Sequence, residues 1–178
     1  MRFKFTGNFK ALKAWKEKIA QLPEALDQVN EALCEEAIEL VREGFEQQRD
    51  PDGVPWMPHA ALTERLRPGG RILEDDGHLK AGWHRRFVDR KGFGLGNAQK
   101  TAEWAQKGTG IHGPRKRAIR PINGTALRIP TPGGAIFLGS IAGQQPRQMV
   151  PEGKRLPTRW KNRFVETAQD VLVEIFRG

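Results

Sequence analysis

Apolar residues recur three and four positions apart through 8–21, "NFKALKAWKEKIAQ", at Phe9, Leu12, Trp15 and Ile19. That spacing places them on one face of an α-helix. Pro23 interrupts the run and suits an early position of a second helix over about 24–47, with Glu24 and Asp27 near its positive end. Along that helix Leu26, Val29, Leu33, Ala37, Leu40, Val41, Gly44 and Phe45 form one stripe, and the glutamates take the other faces. The N-terminal part is therefore a helical hairpin or one long helix. The next stretch, "DPDGVPWMP" at 50–58, crowds three prolines and a glycine around Trp56. The Asp50-Pro51 step and Gly53 are expected to stop the helix by turn chemistry. A loop that only connects has no use for a large aromatic, so Trp56 either folds back on its own core or waits for a partner.

Beyond residue 70 the pattern shortens. "RILEDDGHLKAGWHRRFVDR" predicts a turn at Asp76-Gly77 and a strand over about 79–89. "KTAEWAQKGTG" fits a strand or a short helix, and "GIHGPRKRAIRPING" reads as a basic loop. "ALRIPTPGGAIFLGSIAG" predicts two strands joined near 131–134. After Pro157, the residues Trp160, Phe164, Ala168, Val171, Leu172 and Ile175 give a last amphipathic helix. Grouped strands between helices predict an α+β fold, its helices packed on one mostly antiparallel sheet. The chain reads as a single domain over 1–178: helical to 48, a Pro/Gly-rich loop over 50–70, a β-rich middle over 71–142 and a helix over 156–177.

A chain of 178 residues is long enough for a real core, and glycine and proline together make up 32 of them. No apolar run approaches the length of a membrane span, and "MRFKFTGNFK" lacks the apolar core of a signal peptide. Cys34 is the single cysteine, so no internal disulfide is expected. The net charge of +9 is unevenly spread. Residues 24–46 hold eight carboxylates against Arg42 alone, a local −7 that leaves +16 for the rest. Segregated charge suits association. Glu35, Glu39 and Glu43 on the acidic helix and Arg115, Lys116 and Arg117 in the basic loop 112–120 are candidate subunit-interface residues; a solvated acidic face is the alternative.

Catalytic chemistry finds no positive sign, and no cofactor or metal is expected. His59, His78, His84 and His112 show no ligand spacing. "EDDGH" at 74–78 gathers three carboxylates and an imidazole, yet the same letters make a good turn. A magnesium- or manganese-dependent nuclease built on Glu74, Asp75, Asp76 and His78 is a remote rival. "GFGLG" at 92–96 lacks the Gly-Lys-Ser/Thr of a phosphate loop and reads as a flexible strand end. Ser140 has no partner base. The cluster "PRKR" at 114–117 could hold phosphates, which makes a DNA-binding accessory protein using loop 112–120 the main alternative function. Against it, no aromatic lies close by in the sequence and the chain has no tyrosine. Trp83, Trp104 and Trp160 read as structural.

Several of these stretches also resemble a known family. "GFEQQRDPDGVPWMP" is similar to the helix end and following loop of the virion morphogenesis (tail completion) proteins of Mu-like tailed phages, where a helix ends in "F…DPDG.PW.P". "ILEDDGHLKAGW" resembles the family's "IL.DTG.L..S" turn, with Asp76 where Thr is usual and Gly82-Trp83 in place of a Ser and a β-branched residue. "TAEWAQKGTGIHGP" is similar to "YA..HQ.GTG..G", shared with phage neck proteins, and "QQPRQMVP" stands where the family has "PARPFLG". Arg147 matches there in type, and Met149 replaces Phe. The likeness spans most of 40–155. It implies a structural protein of the virion, put together in the host cytoplasm and placed at the neck or tail end. Such proteins act in rings, six copies being common, against neighbouring connector and tail-tube proteins and without catalytic residues. Trp56, Arg147 and Met149 join the candidate interface on this ground. Head-to-tail joining, tail termination and tail completion share the pattern. In a ring around DNA, an acidic helix facing the channel would let DNA slide without sticking.

Overall fold

The computed structural model describes residues 9–131 and 133–177. The side chains of Phe9, Leu12 and Trp15 lie outside the described residues, as does Pro132. Ten elements run in order: a long helix α1 (Phe9–Gln47), short helices α2 (Ala61–Leu66) and α3 (His78–Ala81), strands β1 (Trp83–Asp89) and β2 (Gly92–Asn97), helix α4 (Lys100–Lys107), a 3₁₀ turn Gly110–His112, strands β3 (Leu127–Thr131) and β4 (Gly134–Leu138), and helix α5 (Thr158–Arg177). The fold is mixed α+β.

The N-terminal segment is one helix of 39 residues with Pro23 inside it, not two helices broken at the proline. An internal proline removes one backbone hydrogen bond and crowds the turn before it, a cost of about 3 kcal/mol. Here α5 lies antiparallel along α1 and bridges that point. Arg159 pairs with Glu43 at one end, and Lys18 Nζ donates to the Phe176 carbonyl at 3.3 Å at the other, on the N-terminal side of the proline. Of the stripe read from the sequence, Val29, Ala37, Leu40, Val41 and Phe45 are buried, together with Ala25 and Cys34, whereas Leu26 is exposed. Burial pushes the Cys34 thiol pKa up.

The helix stops before the Asp50-Pro51 step, not at it. Gln48 takes a positive φ of 54°, Arg49 N–H donates to the Gly44 carbonyl at 3.0 Å and Gln48 N–H to Phe45 at 3.3 Å. This is the double bond of a left-handed helix terminus. Arg71 reaches back to donate to the Phe45 and Glu46 carbonyls at 2.8 and 3.0 Å, placing a cation at the negative end of the helix. The DPDG stretch then makes a small hairpin. Gly53 (φ 86°) donates to the Asp50 carbonyl at 2.9 Å, Val54 N–H donates to Asp50 Oδ1 at 2.8 Å, and Arg49 bridges Pro55. Its return limb ends with Trp56 N–H on the Gln48 carbonyl at 2.9 Å.

The expected single sheet is two separate antiparallel hairpins. β1 and β2 pair from Trp83↔Asn97 to Asp89↔Gly92, with a bulge between Arg85 and Phe87, and pack on α1. The strand expected from 79 starts only at Trp83, because residues after the Asp76-Gly77 turn coil into α3. "GFGLG" is β2 itself, not a flexible strand end. The Phe87 ring occupies the space a side chain at 94 would need, which gives Gly94 its reason. β3 and β4 pair from Leu127↔Leu138 to Thr131↔Gly134, as the pattern predicts, and "KTAEWAQK" is helix. The second hairpin joins the body through segment 141–144. Thr109 N–H donates to the Gln144 carbonyl at 2.8 Å and Ile111 N–H to Ala142 at 2.7 Å, while Ile119 and Ile141 exchange bonds at 2.9 and 3.0 Å. Gly110 (φ 63°) and Gly143 (φ 98°) pass so close here that a Cβ on either would collide with the opposite backbone. That is the physical content of "GTG".

Candidate functional site

Trp56 sits in its own core, 5% exposed, edge-on to Phe45 with ring centroids 5.3 Å apart. Its indole N–H donates to the Gln148 carbonyl at 2.9 Å. Arg147 is buried beside it and has no carboxylate partner among the described residues. Its guanidinium donates to the carbonyls of Met57 (2.9 Å) and Pro58 (2.8 Å), and burial pulls its pKa below the ordinary arginine value. Met149 is buried too. Gln106 on α4 holds this segment with its amide, accepting from Met149 N–H at 2.8 Å and donating to the Val150 carbonyl at 2.7 Å. Trp56, Arg147 and Met149 thus form one knot that fixes the 54–58 loop from within. Sequence reasoning missed Gln106, although its spacing from buried Ala102 and Ala105 is helical and marked it as an inward polar residue.

The acidic helix is largely neutralised by its own chain. Asp27 meets Arg90 (3.3 Å), Glu31 meets Arg85 (3.4 Å), Glu46 meets Lys80 (3.5 Å) and Glu39 meets Arg42 (3.3 Å). Glu43 pairs with Arg159 and, at 3.2 Å, with Arg163. Arg163 also lies 2.7 Å from Glu36 Oε1, at an angle that makes no hydrogen bond. Burial pulls the Arg163 pKa down, but Glu36 and Glu43 hold it above its usual value. Glu35 is exposed and makes no ion pair among the described residues. Six of the eight carboxylates therefore face cations from β1, the β1–β2 turn, α3, α5 and α1 itself. The stretch does not present its −7 to the surroundings. Arg159 and Arg163 fall one helical turn apart on the face of α5 toward α1, a spacing that could have shown them.

The basic loop is the opposite case. Arg115, Lys116, Arg117 and Arg120 are exposed, and none joins an ion pair among the described residues. Lys116 adopts φ 51° in a turn closed by its N–H on the Gly113 carbonyl at 3.1 Å. Between this loop and α4 lies a groove of about 700 Å³ lined by Trp104, Pro114, Arg115, Arg117, Ile119 and Arg120. Trp104 is 54% exposed, so it is not the structural tryptophan the sequence suggested; the fold brings an aromatic beside the arginines. Glu103 at the rim is matched by Lys107 at 2.9 Å, a bond that raises the lysine's pKa.

The carboxylates of "EDDGH" serve separate local partners. Glu74 pairs with Arg71 (3.1 Å) and Asp75 with Arg67 (2.7 Å), and Asp76 Oδ1 accepts from His78 N–H at 3.0 Å. Among the described residues no three histidine, cysteine or carboxylate groups converge on one point. No helix there is long and apolar enough to cross a membrane.

No curated protein and no solved structure matches the chain. The profile of the phage virion morphogenesis family matches residues 7–131, which takes in α1, the Trp56 loop, the first hairpin, α4, the basic loop and β3. "QQPRQMVP" and α5 fall beyond the match. With more than two thirds of its length aligned, the chain belongs to the phage virion morphogenesis family.

Proposed function

We propose that this is a structural protein of the phage neck or tail end that works by assembling, without catalysis, into a ring of identical copies, six being the favoured number. The family match over residues 7–131 carries the reading. Two features support it. Six of the eight carboxylates of the acidic helix are matched within the chain, whereas the arginines of loop 112–120 join no ion pair among the described residues. Large apolar side chains also stand exposed in the same half of the sequence, at Trp104, Ile122 and Phe137. Its neighbours would be connector and tail-tube proteins. Arg115, Lys116, Arg117 and Glu35, which join no ion pair among the described residues, are the side chains offered to them, and Glu39 could follow by leaving Arg42; Trp56, Arg147 and Met149 would shape the loop that does.

Imaging particles made with and without the gene product tests the reading. The expected result is heads and tails that accumulate separately, or tails with wrong lengths or unstable ends, and each outcome picks one of joining, termination or completion. Normal, joined and infectious particles made without it would overturn the proposal.

A further inference from the structure

The groove beside α4 joins two properties that surface residues seldom share. Its floor is apolar, with Trp104, Ile119 and Pro114, and its edge carries Arg115, Arg117 and Arg120. Arginine left without a carboxylate, next to an exposed indole, marks a surface whose complement lies on another molecule. A second copy's acidic helix is a poor complement, because its carboxylates already face Arg85, Arg90, Arg159 and Arg163. A nucleic-acid backbone would satisfy the arginines but would leave the apolar floor uncovered unless a base unstacks onto Trp104.

We propose that this groove binds an acidic protein segment carrying a central apolar or aromatic anchor, supplied by a different virion protein. The anchor covers Trp104 and Ile119, and flanking carboxylates engage Arg115, Arg117 and Arg120 in the paired geometry guanidinium favours. The site thereby acts through charge for approach and through the anchor for retention. The inference takes from the virion reading only the source of the segment, so the binding test stands apart from the imaging of particles.

The full chain is titrated with a labelled synthetic peptide of about ten residues, acidic throughout except for a central Leu-Phe pair, by fluorescence anisotropy at physiological salt. Controls are the same peptide with Ser-Ser at its centre and a single-stranded oligothymidylate of equal charge. The expected result is Leu-Phe peptide binding about tenfold tighter than the Ser-Ser peptide and tighter than the oligonucleotide. Arg115→Glu with Arg117→Glu and Arg120→Glu should abolish it, and Trp104→Ala should weaken it about tenfold with an unchanged melting curve. Equal binding of the two peptides reduces the groove to diffuse charge and overturns the proposal. Tighter binding of the oligonucleotide overturns it in favour of a nucleic-acid surface. No binding of the Leu-Phe peptide also overturns it.

Discussion

Two Pro/Gly-rich turns in this molecule end differently. The chain reverses between Arg49 and Pro55, and again between the paired strands β3 and β4, which meet as far as Thr131↔Gly134. The first returns an aromatic onto the helix it has just left. Trp56 lands on Phe45, and the polar groups that hold its loop find partners: the indole on Gln148, Arg147 on two carbonyls, Gln106 on two residues. Among the described residues, no side chain of the second hairpin is fully buried. Leu127, Ile129, Ile136 and Leu138 are only half-buried, Phe137 on the other face is 64% exposed, and the hairpin joins the body mainly through segment 141–144. A two-stranded hairpin alone is marginal in water. Turn chemistry closes a loop; a returning aromatic decides whether that loop becomes core.

The contrast can be broken most directly at Trp56. Trp56→Ala should cost about 3–5 kcal/mol, read as a lower midpoint in denaturant unfolding. A loss below about 1 kcal/mol would mean that the first turn is as free as the second. Arg147→Lys is the next step down. A lysine cannot reproduce the fork that serves two carbonyls, so about 1–3 kcal/mol should be lost although the charge remains; full stability would show that charge rather than geometry matters there. Phe137→Ser should change stability by no more than about 0.5 kcal/mol in the isolated protein. A larger drop would place the second hairpin in the core as well.

Periodicity made the long helices legible. The α1 stripe from Val29 to Phe45 and the α5 stripe at Trp160 and Phe164 need only local spacing, and the helices follow from it. The pattern left a helical hairpin or one long helix open at Pro23, because the outcome there depends on α5, more than a hundred residues away, packing across the proline. The single sheet failed for a similar reason. Strand pattern fixes which residues alternate, not whether two hairpins meet edge to edge. The role of Trp104 was equally hidden: "EWAQKGTG" places it on a helix, but only the path of 113–120 puts arginines around it. Loop residues Arg115 to Arg117 were visible as charge, whereas the intramolecular pairing of the acidic helix depends on partners from four other segments.

One consequence of α1 concerns dimensions. At about 1.5 Å per residue a helix of 39 residues is about 58 Å long, whereas a sphere of this chain length would be roughly 40 Å across. The particle is therefore drawn out along one axis by a rod stiffer than any loop. Lys13 near one end and Gln47 at the other stand about 51 Å apart. In the ring proposed above, contacts made near those two ends would occupy different storeys of the assembly, and a small tilt at one would become a displacement of several ångströms at the other.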